Sequence, residues 1–141
     1  MRIHPLLVGL LAASLALTAA PFSRAQDDEP TPLQEAMGKM QGSQRAMRRM
    51  VGDPTANKDA LLRAVATIEE GALEAFVLAP PAPDGADAVA WRIGYKRQIL
   101  KTLDAALACE QATHEGNADA LAAAYQALNA TKKAGHDQYQ R

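Results

Sequence analysis

The chain has 141 residues, with 15 lysines and arginines against 16 aspartates and glutamates, three histidines and a single cysteine. This near-balance offers no basic face for nucleic acid, and one cysteine cannot close an internal disulfide.

Residues 1–25 carry the pattern of an export signal. Arg2 gives a short positive start, Leu6 to Ala20 is apolar, and Ser23-Arg24-Ala25 is a small-x-small cleavage site ahead of Gln26-Asp27-Asp28-Glu29. The apolar run of 15 residues is shorter than the ~20 a spanning helix needs. The pattern therefore predicts cleavage after Ala25 and no membrane attachment afterwards. What is left is 116 residues with 13 basic and 16 acidic side chains, a net charge of about −3, enough for one domain with a modest core. Residues 26–30 read as a short acidic tail and 31–141 as that domain.

Thr31-Pro32-Leu33-Gln34 reads as a helix start, with Thr31 as cap, Pro32 where no amide hydrogen is needed and Gln34 completing a capping box. Leu33, Met37, Met40, Gln44, Met47 and Val51 then recur at alternating steps of three and four, the spacing of a bundle seam. Gly52-Asp53-Pro54 predicts a stop followed by the cap of a second helix over about 55–79, with Leu61, Val65, Ile68, Ala72 and Ala75 or Phe76 inward. The prolines of 80–83 break it. A third helix resumes near Asp87 and carries Trp91, Tyr95, Ile99, Leu103 and Ala106. It ends at Glu115-Gly116, and Asn117 caps a fourth with Leu121, Tyr125, Leu128, Lys132, His136 and Tyr139 on one side. Alanine richness and the lack of alternating strand patterns predict an all-α fold, and the short connections predict an antiparallel up-down-up-down four-helix bundle. Cys109 falls on the third helix as a small apolar residue.

In that topology the start of the first helix, the loop after the second and the end of the fourth share one end of the bundle. Met37, Trp91 and His136 each lie about 7 Å from it at 1.5 Å per residue. A thioether, an imidazole and the aromatic pair Trp91 and Tyr95 would meet there, a set that suits a haem with one sulfur and one nitrogen axial ligand. No Cys-x-x-Cys-His exists, which excludes covalent attachment of a c-type haem. Each residue taken alone has a plainer role: Met37 as core, His136 as a solvated residue near a helix C-terminus, Trp91 and Tyr95 as core aromatics, and Lys132 and Lys133 as a basic face.

The segments "LQEAM" near the start, "WRIGYK" in the third helix and "HEGNADALAAAYQALNATKKAGHDQY" in the fourth resemble the soluble cytochrome b562 family across the whole mature chain. The resemblance implies one non-covalent b-type haem with Met37 and His136 as axial metal ligands, and Trp91 and Tyr95 packing against it. Lys132 and Arg141 would stand near its propionates. It further implies a periplasmic, monomeric electron carrier with redox partners still unidentified, rather than an enzyme. The second and third helices each carry about one extra turn relative to that family, Gly135 replaces a bulkier residue before the histidine, and Lys132 stands where the family has arginine. Two alternatives differ in cofactor: a haem-free structural bundle, or a Cu(I) site built on the Met-x-x-Met pairs Met37/Met40 and Met47/Met50, since thioethers select Cu(I).

Overall fold

Thr31 opens the first helix in the predicted manner. Its hydroxyl accepts the amide N–H of Gln34 at 3.2 Å, and the Gln34 side chain accepts the Thr31 N–H at 2.7 Å, so two otherwise unpaired donors are satisfied reciprocally. The computed structural model describes residues 29–139; the predicted signal peptide, Gln26 to Asp28 of the tail and Arg141 lie outside them. Four helices follow in order: α1 Pro32–Met47, α2 Lys58–Val77, α3 Ala88–Glu115 and α4 Ala118–Tyr139. Among the described residues no strand occurs, and no helix is long and apolar enough to cross a membrane.

The termini of α3 and α4 obey the same local chemistry. Asp87 accepts from the amides of Val89 and Ala90 at 2.8 and 3.0 Å. Gly116 takes φ 66°, the left-handed conformation that closes α3, and Asn117 accepts from Ala120 N at 3.0 Å to open α4.

The α1–α2 connection differs from the expectation. The first helix stops at Met47 instead of running to Val51, and Asp53 does not cap α2 directly. The carboxylate of Asp53 caps a separate turn, accepting Ala56 N at 2.9 Å, and that turn is closed by Asn57 N donating to Asp53 O at 3.2 Å. The proline of Gly52-Asp53-Pro54 opens this extra turn, and α2 proper begins only at Lys58, not near 55; it also ends at Val77, short of 79.

Neighbouring helices run antiparallel. α1 meets α2 through the exposed Lys39–Glu74 ion pair at 3.2 Å and through Gly71, whose missing side chain leaves room for Met40. α2 meets α3 where the Tyr95 hydroxyl donates to Ala75 O at 3.0 Å, and α3 meets α4 where Gln98 donates to Thr131 O at 2.8 Å. At the opposite end Lys58 reaches His114 O at 3.4 Å.

The core runs the length of the bundle and contains the seam residues expected of α2: Leu61, Val65, Ile68, Ala72 and Ala75 are all buried. Met47, Leu121 and Leu128 join them; each such large apolar side chain contributes about 1.5–3 kcal/mol on burial. Cys109 is fully buried among them, and burial pushes its thiol up to about 11.

A methyl group at position 71 has no place to go. Its carbon would stand 2.7 Å from Met40 Cγ and 3.0 Å from the Ala36 carbonyl oxygen, and the second of these is backbone. Gly71→Ala is therefore expected to destabilise the fold by about 1–3 kcal/mol despite its better helix propensity, measured as a lowered urea midpoint at constant slope.

Candidate functional site

Of the four neighbouring pairs of a four-helix bundle, α1–α4 is the one whose backbones stay apart: no Cα of α1 comes within 8 Å of one in α4, whereas α1–α2, α2–α3 and α3–α4 all approach that closely. Among the described residues, hydrogen bonds from side chains bridge this seam. Gln44 Nε2 donates to Asn129 Oδ1 at 2.9 Å, and the Tyr125 hydroxyl donates to Gln44 O at 3.0 Å.

Alongside that bridge the groove widens into a cavity of about 530 Å³, within the range of cofactor sites. α1 lines it with Leu33, Met37, Gly38 and Met40; α4 supplies Leu128, Lys132, Gly135, His136 and Tyr139. Tyr95 and Ile99 of α3, Ile68 of α2 and Pro80 of the proline loop add apolar wall, and Gln34, Gln41, Gln44, Gln98, Thr102 and Thr131 supply its polar part. Met37 and His136 thus reach one cavity from separate helices, and both are only half-buried. A thioether and an imidazole suit a soft or intermediate transition metal, and the mostly apolar surface of the surrounding wall suits an apolar ring system more than a hydrated ion. Among the described residues no group of three or more His, Cys, Asp or Glu side chains gathers as an alternative metal site.

The two aromatics take different places. Tyr95 lines the cavity and is buried, its hydroxyl held on the last turn of α2, and burial pushes its phenol up to about 12. Trp91 is not on the wall. Its ring meets Tyr139 edge-on at a centroid distance of 4.8 Å, and Tyr139 in turn meets Tyr95 at 5.4 Å. Trp91 therefore stands one ring behind the cavity, with its indole N–H buried and without a partner among the described residues. The Tyr139 hydroxyl lies over Gly94, 2.7 Å from where a β-carbon would be, so this cluster depends on the bare backbone of α3 at that point.

Sequence reasoning missed a polar layer. Gln98 is buried and holds Thr131 O. Thr102 donates to Gln98 O at 3.3 Å, with the Thr131 hydroxyl 3.2 Å away. All three residues line the cavity. Gln98 and Thr102 lie three residues beyond Tyr95 and Ile99, the seam positions already recognised, and that offset was the available signal. Arg45 and Arg48 were missed as well. With Gln41, Asn129 and Lys132 they line a smaller polar recess of about 340 Å³ next to the main cavity, which shares Gln41, Gln44 and Lys132 with it. Arg141, the other expected cation, lies outside the described residues.

No family model, curated protein or solved structure matches the chain in comparisons with known proteins.

The Tyr95 phenol is neutral in the fold at pH values where a free phenol ionises. Its contribution to stability is present below its ordinary pKa of 10.0 and is lost as pH rises from there towards 12. Tyr95→Phe is expected to destabilise the protein by about 1 kcal/mol at neutral pH through the lost bond to Ala75 O, and to flatten the fall in urea midpoint between those two pH values.

Proposed function

We propose that the chain is a one-electron carrier that binds one b-type haem non-covalently in the α1–α4 cavity, with Met37 and His136 as its axial ligands. The observation that carries the proposal is that these two side chains, from helices whose backbones stay apart, line one mostly apolar cavity of cofactor size. The resemblance of the Met37, Trp91–Tyr95 and His136 segments to the cytochrome b562 family supports it.

When bound, the haem supplies a ferric–ferrous couple whose potential is raised by a thioether ligand. The chain's own residues supply the surroundings. Leu33, Ile68, Ile99 and Leu128 would exclude water from the ring faces, and the low dielectric they create strengthens every ligand interaction. Met37 would give a neutral sulfur and His136 a neutral nitrogen, so neither ligand buries a charge. Lys132 on the lip, with Arg45 and Arg48 in the adjoining recess, would stand as cations for the two ring carboxylates. Met37 and His136 would together hold the iron, a ligand set that suits electron transfer rather than substrate chemistry. Export through the N-terminal signal would place the carrier in the periplasm.

A Cu(I) site is the second possibility, because Met37 and Met40 both line the cavity. Met47 is fully buried in the core and Met50 packs at its edge, so only the first Met-x-x-Met pair is available to it.

Titration with hemin is expected to give a saturable one-to-one complex with a six-coordinate low-spin spectrum. Met37→Ala and His136→Ala should each convert it to a high-spin form and weaken binding at least about ten-fold. Met40→Leu should leave hemin binding intact while lowering Cu(I) affinity if the thioether pair is the true site. A spectrum indifferent to Met37→Ala and His136→Ala removes both residues from the iron.

A further inference from the structure

α3 is apolar on two faces. Its inner face buries Tyr95, Ile99, Ala106 and Cys109. On the outside, Val89, Ile93, Leu100 and Leu107 remain 57%, 46%, 51% and 50% exposed. Ile93, Leu100 and Leu107 recur at intervals of seven, and Val89 falls five full turns before Leu107. The four side chains therefore form one straight strip along the helix, the heptad spacing of a helix–helix seam. A solvated helix face has no use for such spacing, and among the described residues nothing covers it.

The charges of α3 are divided along its length. Arg92, Lys96, Arg97 and Lys101 occupy the N-terminal half, whereas Asp104, Glu110 and Glu115 occupy the C-terminal half. This order runs against the helix macrodipole, which favours acids first and bases last, so the helix's own stability does not explain it. It is, however, self-complementary: a second α3 laid antiparallel brings each basic half against an acidic half, and a parallel one sets like against like.

We propose that the outer face of α3 is a dimerisation surface for a second copy of this chain, packed antiparallel about a twofold axis passing near Leu100. In that register Leu100 meets its own counterpart and Ile93 meets the partner's Leu107. Arg97 and Asp104 lie on the same flank of the strip, so Arg97 meets the partner's Asp104, and each contact occurs twice, as an isologous interface requires. The strip is about 27 Å long and one helix wide, well below the ~800 Å² per partner of a stable complex. The dimer is accordingly reversible and concentration-dependent, in contrast to the monomer that the family resemblance implies. It stands independently of the haem, since the strip lies on the opposite face of α3 from the side chains that line the cavity.

Sedimentation velocity of the purified chain, with and without hemin, should show a monomer–dimer equilibrium between micromolar and millimolar concentrations in both forms. Leu100→Lys should weaken it at least about ten-fold with helicity unchanged. Arg97→Asp should weaken it, and Arg97→Asp/Asp104→Arg should restore it. Under oxidation, and with Cys109→Ala in the background, Leu100→Cys should cross-link to a disulfide dimer. Val89→Cys should not, because antiparallel packing holds its two copies about 33 Å apart. A monomer at every concentration, or a dimer indifferent to Leu100→Lys, overturns the proposal; Val89→Cys cross-linking as readily as Leu100→Cys overturns the antiparallel arrangement.

Discussion

The wide seam between α1 and α4 is the constraint on which the rest of the molecule turns. A four-helix bundle has four neighbouring pairs, and here three of them close through backbone proximity while the fourth is spanned by Gln44, Asn129 and Tyr125. Burying a glutamine such as Gln44 is costly unless its polar atoms find partners, and both its amide and its backbone carbonyl do. The bridge sets how far apart the two helices stand. Beside it the gap is too wide for the side chains to fill, and a cavity results.

That cavity contrasts with the other three seams. Protein interiors are close-packed, and side chains there interdigitate with few gaps. On those seams small residues let the helices approach: Gly71 under Met40, and Ala64, Ala72, Ala105, Ala106 and Ala112 in the core. The alanine bias of the chain is thus tied to its architecture, since tight packing on three sides leaves one side free to open.

Most of the fold was legible because each helix carries its own punctuation. Thr31, Asp87, Gly116 and Asn117 act within a few residues of their own positions, and the steps of three and four in α2 predicted its buried face directly. The α1–α2 connection was harder, because Gly52-Asp53-Pro54 specifies a turn without specifying whether a helix follows at once. For the site, period and depth brought Met37 and His136 to one end. They gave no account of how α3 and α4 pack, which sets the Tyr139 ring beside Trp91 and leaves Tyr95, not Trp91, on the cavity wall. The polar layer of Gln98, Thr102 and Thr131 was passed over for the same reason, its only signal being the offset of Gln98 and Thr102 from the seam. Its members look like surface residues until the α3–α4 packing turns them inward.

The last turn of a helix is where order is usually lost, yet His136 stands there. What steadies it is external to α4: Tyr139 is wedged edge-on against Trp91 and Tyr95, over the bare backbone at Gly94. The imidazole is therefore governed at a distance by an α3 residue that never faces the cavity. Were evolution to exchange that glycine for a larger residue, the Tyr139 ring would have to shift from its seat over α3, and the turn that carries the histidine, though itself unaltered, would feel the change.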